Sequence, residues 1–278
     1  MVSDFRKFLA TDGAKWARYN LPPDLARIYL TSDKIVRREY VRSLLPELKY
    51  ADILVSYAPV EEALDTIMSA GEGFIKPING RNSIGCFPLK REGDKLVAPV
   101  IGGKTVEEWA SYLTNAIAKV RGIKPFWIVE EVLDIKVEVK VHVFAPRAVN
   151  AILIRREWVE GGHPIRHVIE IDRDGNVIDT ISPKTRFSPH NRDLVENRLT
   201  VEDIPANIGD YIDLADKFGR LISFPFIRLD MYDTDDGIYY SEMTRLPLMF
   251  RYIRSEVTDM YLSQWKASVE FLRRESGV

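Results

Sequence analysis

Residues 226–245 read FIRLDMYDTDDGIYYSEMTR and contain a clear hairpin signal. Thr234-Asp235-Asp236-Gly237 separates two runs rich in strand-forming residues, and an Asp-Gly step there is typical of a tight β-turn. Residues i and i+2 of a strand share a face, so Arg228 projects beside Asp230, and Glu242 beside Thr244. If the two strands pair, Asp230 and Glu242 converge into a carboxylate pair that suits Mg²⁺, which also takes phosphate oxygens and water. An exposed hairpin with solvated acids is the alternative.

The elements around this hairpin alternate irregularly between helix and strand. We predict helices over 34–45, 60–68, 105–121, 208–221 and 255–274, and further strands over 53–56, 74–77, 126–131, 137–144, 149–158 and 167–171. The valines of 137–144 alternate with polar residues, which indicates a half-buried strand. A glycine-rich dinucleotide fingerprint and a GxxxxGK sequence are both absent. This order predicts an α+β fold with mostly antiparallel sheet. Residues 182–205 lack periodicity and are predicted to form a long surface segment, either a lid or a plain loop.

Composition excludes several classes of protein. The chain has 278 residues, 46% of them apolar, with 39 basic and 41 acidic side chains and a net charge of −2. A folded protein is therefore expected, and nucleic-acid binding through a strongly basic surface is not. We predict no membrane span and no secretory signal. The single cysteine, Cys86, excludes an intrachain disulfide, and we expect a cytoplasmic location.

Two further motifs could carry chemistry. In FIKP (74–77), Lys76 lies between apolar strand residues, and the small residues that follow can present backbone N–H groups to phosphates. An ordinary strand whose lysine reaches water is the alternative. In FWIVEEVL (126–133), a strand ends in paired acids and could contact a flat base, although glutamates at a strand end are more often solvated.

Together these pieces resemble the ATP-grasp superfamily, and most closely its TupA-like group, known from teichuronic-acid biosynthesis. The resemblance is carried by six motifs in family order: SDKIVRREYV (32–41), FIKP (74–77), IVEEVL (128–133), EVKVHVF (138–144), IRLDMY (227–232) and IYYSEMT (238–244). It implies an ATP-grasp fold, in which two α/β subdomains with mostly antiparallel sheets grip a nucleotide. The implied division is an N-terminal helical and short α/β region over 1–59, a small subdomain over 60–132 and a large subdomain with the metal site over 133–278.

The resemblance also implies roles for single residues. The nucleotide-binding positions would be Lys34, Lys76, Asn79, Gly80, Asn82, Ser83, Glu130, Glu131, Val132, Leu133, Glu138 and Lys140. Among them, Lys34 and Lys76 match lysines that contact phosphates, Glu130 to Leu133 match the adenine-binding segment, and Glu138 is a candidate for the ribose hydroxyls.

The metal ligands would be Asp230, Glu242 and Thr244, although most of the superfamily has asparagine in place of this threonine. Arg228 matches the arginine that steadies the transferred phosphoryl group. Arg245 is a candidate for holding an anionic substrate, and with Arg228 and Lys76 it completes the predicted catalytic set.

The implied activity is that of a carboxylate-amine ligase that uses ATP and Mg²⁺ and releases ADP and phosphate. A substrate carboxylate would be activated as an acylphosphate and joined to an amine or another nucleophile. Two alternatives stay open: a kinase-like phosphotransferase of the same superfamily, and a degenerate nucleotide-binding domain without catalysis. The expected partners are ATP and a carboxylate-bearing small molecule or a glycan or peptide precursor. The sequence leaves a homodimer open.

Overall fold

Thirteen strands divide into two β-sheets in the computed structural model of the chain, which describes residues 9–80, 84–99, 101–157, 165–181, 199–245 and 255–276. The α-helices are α1 (Ala14–Asn20), α2 (Pro23–Leu30), α3 (Lys34–Leu44), α4 (Val60–Ala70), α5 (Val106–Ala118), α6 (Ile208–Leu221) and α7 (Ser255–Ser276). The strands are β1 (Lys49–Tyr50), β2 (Ile53–Ala58), β3 (Glu72–Pro77), β4 (Phe87–Glu92), β5 (Lys95–Ala98), β6 (Gly102–Lys104), β7 (Trp127–Glu130), β8 (Val137–Phe144), β9 (Arg147–Glu157), β10 (Ile165–Asp172), β11 (Val177–Ile181), β12 (Phe226–Thr234) and β13 (Gly237–Thr244). None of the helices in these ranges is both long and apolar enough to cross a bilayer.

The large sheet has seven strands in the order β1-β13-β12-β8-β9-β10-β11. All neighbouring strands are antiparallel except β1 and β13, so the predicted α+β fold with mostly antiparallel sheet is confirmed. Helices α1, α2, α3 and α6 share one hydrophobic core with this sheet, and the valines of β8 lie in that core. Tyr261 and Trp265 of α7 pack instead against Phe144 and Phe226, which belong to a separate cluster.

Strand β8 is buried along its whole length, so the prediction of a half-buried strand is wrong. Its valines face the helices, as alternation predicts. Its polar residues Glu138, Lys140 and His142 are also buried, because other charged and aromatic side chains cover the second face. A polar face that is buried indicates a site rather than a solvated surface.

The small sheet has the order β2-β7-β3-β4-β5-β6 and is antiparallel throughout. Helices α4 and α5 pack against it, and Trp109 of α5 donates a hydrogen bond from Nε1 to the Leu96 carbonyl at 2.7 Å. Thr105 and Glu108 form a capping box that begins α5, so this helix starts where its sequence predicts.

The two glycines of α6 provide a matched test of how this helix packs on the large sheet. A Cβ at Gly219 would lie 2.8 Å from the Pro146 carbonyl oxygen and 2.9 Å from Val143 Cγ1, whereas a Cβ at Gly209 would have no atom within 4 Å. We expect Gly219→Ala to lower the free energy of unfolding by roughly 1–3 kcal/mol, because backbone must move to admit the methyl group. Gly209→Ala should leave it unchanged or raise it by up to about 1 kcal/mol. Urea unfolding of both variants measures this, and equal effects would contradict the packing.

Candidate functional site

Polar side chains of β8, β12 and β13 meet on one face of the large sheet. Asp230 lies opposite Glu242 of β13 and opposite Lys140 of β8, while Arg228 lies opposite Thr244. A register shift at Ser241 places Glu242, rather than Ser241, across from Asp230. Such bulges redirect side chains, and they are common beside functional sites. The predicted pairing of the two strands is confirmed, and a bulge that the sequence pattern does not reveal places Asp230 opposite Glu242.

The carboxylate of Asp230 has no exposed surface and is held by two cations. Arg228 donates from Nε to Oδ1 at 2.6 Å and from Nη2 to Oδ2 at 2.8 Å, and Lys140 Nζ lies 2.5 Å from Oδ2. Arg228 Nη2 also lies 3.4 Å from the Thr244 hydroxyl. Pairing of this kind offsets part of the cost of burying each charge.

Glu138 continues the chain of charges on β8. Its carboxylate accepts from Lys140 Nζ at 2.5 Å and from the Arg156 guanidinium of β9. Burial by itself would raise the pKa of Glu138, but the two cations lower it to about 2. Glu138 is therefore an anion at neutral pH whose charge holds Lys140 and Arg156 in place.

Glu242 is the remaining acid on this face of the large sheet. Within the described ranges its half-buried carboxylate takes part in no hydrogen bond or ion pair. Its charge still acts on Lys34, Arg37 and Arg228, so it lies centrally among cations. The same ranges contain no group of three or more His, Cys, Asp or Glu side chains suited to a metal. Two carboxylates without a full protein cage fit Mg²⁺, which keeps waters and phosphate oxygens as ligands.

A second cluster lies on the small sheet. Glu130, at the end of β7, binds Lys76 Nζ through Oε2 at 2.5 Å and Arg38 Nη1 through Oε1 at 3.1 Å. Arg38 also donates to the Ala51 carbonyl, which ties α3 to the start of β2. The Lys76 and Glu130 side chains are each only 12% exposed, so this ion pair is a fixed part of the site.

Lys34 binds backbone rather than an acid. Its Nζ donates to the carbonyls of Pro77 at 2.8 Å and Gly80 at 3.0 Å, where β3 runs into the following loop. Burial lowers the pKa of Lys34, and the negative charge of Glu242 opposes that effect. Lys34 thus holds in place the start of the segment after FIKP (74–77), whose backbone N–H groups are predicted to bind phosphates. It also interacts electrostatically with residues of both clusters.

Residues 131–136 connect β7 of the small sheet to β8 of the large sheet. The Glu131 N–H and carboxylate bind the backbone of Asp52, which anchors the start of the connector. In the parts of the chain that the structure describes, no hydrogen bond is made by the backbone of Val132 or Leu133. These N–H and C=O groups are therefore available to a ligand edge between the two sheets.

Cations outnumber acids around the two clusters, counted over the residues that the structure describes. Four acids, Glu130, Glu138, Asp230 and Glu242, lie among the cations Lys34, Arg37, Arg38, Lys76, Lys140, Arg156, Arg228 and Arg245. The whole chain has a net charge of −2, so this excess is local. A local surplus of guanidinium and ammonium groups suits a polyanion such as a polyphosphate.

The architecture is similar to that of known ligases. D-alanine–D-alanine ligase from Bacillus anthracis matches with a TM-score of 0.51 at 15% identity, covering 95% of this chain and 77% of that one. The same enzyme in complex with ATP matches with a TM-score of 0.50 at 14% identity, covering 95% and 76%. The chain has the ATP-grasp fold.

A further solved structure is similar at a lower TM-score. The ATP-grasp ligase PsnB in complex with a minimal precursor matches with a TM-score of 0.43 at 15% identity, covering 88% of this chain. The chain spans 63% of the length of that ligase. No protein-family model matches, and no curated protein gives a significant sequence match.

Within the ATP-grasp fold, the predicted site residues fall into three groups. Near the two charge clusters lie Lys34, Lys76, Glu130, Glu138, Lys140, Arg228, Asp230, Glu242, Thr244 and Arg245. Others contact neighbouring backbone or lie in the connector: Asn79, which binds Gly122 and Lys124, then Gly80, Glu131, Val132 and Leu133. Asn82 and Ser83 lie outside the described residues, as does most of the 182–205 segment. The nucleotide, metal and catalytic roles of all these residues stay predictions.

Sequence reasoning missed three cations near the two clusters. Arg37 donates to the Met243 carbonyl at 2.8 Å, Arg38 binds Glu130, and Arg156 binds Glu138. Arg156 shares a strand face with Asn150, so alternation along β9 could have pointed to it. Arg37 and Arg38 lie on α3 and are buried only because distant segments cover them, which the helix sequence alone does not show.

Proposed function

We propose that the chain is an ATP-dependent ligase that activates a substrate carboxylate and joins it to an amine or another nucleophile. The observation that carries the proposal is the pairing of Asp230 with Glu242, beside Arg228, in a cation-rich region that includes Lys76. These residues are the ones that phosphoryl transfer from ATP requires, because catalysis there is positioning and charge neutralisation.

Mg²⁺ would be held by Asp230 and Glu242, with the Thr244 hydroxyl as a third oxygen. The fit rests on the donor set: hard oxygen ligands, one of them uncommitted, with space left for phosphate oxygens and water. When bound, the ion would supply charge neutralisation at the phosphates. Lys140 and Arg228 hold the Asp230 carboxylate in place for that role.

The adenine base would lie against the connector. Val132 and Leu133 offer backbone groups to its polar edge, and two groups of that kind read a base without any charged side chain. Glu130 is expected there as well, but its carboxylate already binds Lys76 and Arg38. We propose that Glu130 instead fixes Lys76 toward the phosphates, and that Glu138 fixes Lys140 and Arg156.

In the reaction, Arg228 and Lys76 would neutralise the charge that develops as the substrate carboxylate oxygen bonds to the γ-phosphorus and the bond to ADP breaks. The nucleophile would then attack the acyl carbon, and phosphate would leave. Arg245 lies close to Arg37 and would attract an anionic substrate. We further propose, from the six motifs, that the nearest relatives are the TupA-like proteins, with a glycan or peptide precursor as substrate in the cytoplasm.

Two other functions are distinguishable from this one. A kinase-like member would transfer the phosphoryl group to a stable acceptor, and a degenerate domain would bind nucleotide without turnover. Retention of Lys76, Arg228, Asp230 and Glu242 disfavours the degenerate domain, because binding alone does not require transfer groups.

The experiment is a screen for ADP release with ATP, Mg²⁺ and a panel of carboxylates in the presence of hydroxylamine, which converts an acylphosphate into a hydroxamate. A ligase yields ADP and hydroxamate together, and Asp230→Asn abolishes both, while the exposed Asp210→Asn on α6 changes neither. ADP with a stable phosphorylated product and no hydroxamate would identify a kinase. Nucleotide binding without ADP for any carboxylate would support the degenerate domain.

A further inference from the structure

A buried polar network lies behind Arg228, between the large sheet and α7. Glu170 of β10, Asn150 of β9, His142 of β8 and Tyr261 of α7 form it. Asn150 donates from Nδ2 to Glu170 and to the Tyr261 hydroxyl, the latter at 2.9 Å. The Nδ1 atom of His142 lies 3.0 Å from Asn150 Oδ1 and 2.8 Å from the Tyr261 hydroxyl. None of these residues has a role in the proposed reaction.

The hydrogen bonds of Asn150 determine which ring nitrogen of His142 carries the proton. The amide nitrogen of Asn150 faces Glu170 and donates a hydrogen bond to it. Asn150 Oδ1 then faces His142, and this oxygen also only accepts, so His142 Nδ1 carries the proton. Tyr261 fits this assignment, because its hydroxyl can donate to Asn150 Oδ1 at 3.2 Å. The Nε2 atom of His142 is therefore a bare lone pair.

This lone pair is buried without a partner. His142 has no exposed surface, and Nε2 finds no hydrogen-bond donor among the residues that the structure describes. Burial, together with the positive charge of Arg228, lowers the pKa of His142 to about 3, so the ring is neutral. A buried acceptor without a hydrogen bond costs folding free energy. Such an atom therefore points to a second state of the protein in which it is paired.

Arg228 is a hydrogen-bond donor beside His142, and its positive charge acts on the His142 ring. It lies directly opposite His142 in the β12–β8 register, and opposite residues on one face have Cβ atoms about 5 Å apart. In this structure the Arg228 guanidinium bonds to Asp230 and Thr244. Any ligand that draws the Asp230 oxygens toward itself takes acceptors from Arg228.

We propose that His142 is a positioning residue whose bare Nε2 accepts a hydrogen bond from Arg228 when Asp230 turns to another partner. The hydrogen bond from Asn150 to Glu170 fixes the orientation of the Asn150 amide. This fixes the tautomer of His142 and keeps its Nε2 unprotonated. Arg228 would then stay anchored while one edge of its guanidinium is free for the phosphoryl group. The exchange within the chain stands by itself, whereas its natural trigger, binding of Mg²⁺ and ATP, and the contact with the phosphoryl group rest on the proposed function.

The test is nitrogen NMR of histidine side chains, which separates the two tautomers and the protonated ring. The chain has four histidines, and loss of one signal in His142→Gln assigns His142. We expect the Nδ1–H tautomer, unchanged between about pH 6 and pH 8. In Asp230→Asn without nucleotide, and in the wild type with Mg²⁺ and a non-hydrolysable ATP analogue, the Nε2 signal should move to lower frequency as the lone pair gains a hydrogen bond. Asp210→Asn should not move it.

An Nε2–H tautomer in the wild type, or an unmoved Nε2 signal in folded Asp230→Asn, would overturn the proposal. A shift in Asp230→Asn alongside no nucleotide binding by the wild type would refute the proposed function and leave the role of His142 standing. If Asp230→Asn does not fold, the nucleotide-loaded wild type decides, and an unmoved signal in a sample that binds the analogue overturns the proposal.

Kinetics give a second readout that a merely structural role would not move. His142→Gln places an amide oxygen near the position of Nε2, whereas His142→Asn ends near Nδ1. We expect kcat to fall by about tenfold or more in His142→Asn at unchanged KM for ATP, with substantial rescue in His142→Gln. A higher KM for the carboxylate substrate with unchanged kcat would indicate direct substrate contact and contradict a role through Arg228.

Discussion

Replacing Arg228 by lysine should slow ADP formation by roughly 10²- to 10³-fold, the size of effect seen when one preorganised donor to a developing charge is removed. Lysine keeps the positive charge beside Asp230, but it cannot bond to both Asp230 oxygens and also present a second edge to the phosphoryl group. Affinity for Mg²⁺ and a non-hydrolysable ATP analogue should change by no more than about threefold, because the donor acts on charge that develops only during transfer.

The measurement compares single-turnover ADP formation with analogue binding by calorimetry, on the same preparations. Arg220→Lys, at an exposed position near the end of α6, is the matched control and should alter neither quantity. Equal losses of binding and turnover in Arg228→Lys would contradict this account, because they would make Arg228 a ground-state contact.

Glu138→Gln should have the largest effect on stability. Its pKa lies at about 2 in the folded chain, below the ordinary value of 4.5, so folding favours the ionised form. That difference corresponds to roughly 3 kcal/mol of folding free energy, present above about pH 4.5 and lost as the pH falls through about 2. Glutamine keeps the shape but leaves Lys140 and Arg156 without their shared anion.

Urea unfolding at two pH values tests this. At about pH 7 the free energy of unfolding of the variant should be roughly 3 kcal/mol lower than that of the wild type. At about pH 3 this difference, or gap, between the two proteins should shrink by more than half. Glu39→Gln, on the exposed side of α3, should show a gap below about 0.5 kcal/mol at both. A gap for Glu138→Gln that does not change with pH would show that packing, not charge, is lost.

The β12–β13 hairpin shows how much of the candidate site the local sequence pattern predicts. Thr234 to Gly237 forms the expected turn, and Arg228, Asp230, Glu242 and Thr244 come together as alternation predicts. The agreement depends on a bulge, however. Regular pairing from this turn would place Ser241 opposite Asp230, and the sequence pattern contains no signal for the extra residue.

Other features were beyond the reach of local pattern because they depend on distant segments. Lys76 and Glu130 are separated by 54 positions and meet only because β3 and β7 are neighbours in the small sheet. Arg38 is buried because Glu130 and the Ala51 carbonyl receive its guanidinium, whereas on an isolated helix it would face water. Strands β4, β5 and β6 have only six, four and three residues, which is too short for alternation to predict a strand.

Binding of nucleotide is the central claim, and calorimetry tests it most directly. The titration uses a non-hydrolysable ATP analogue, with and without Mg²⁺, against the wild type, Lys76→Ala and the exposed Lys90→Ala of the same sheet. We predict binding that requires Mg²⁺, is unchanged in Lys90→Ala and is weakened by roughly 10- to 100-fold in Lys76→Ala, as expected for loss of a charge-assisted phosphate contact. No binding by the wild type at millimolar analogue, or equal binding by Lys76→Ala, would contradict the account.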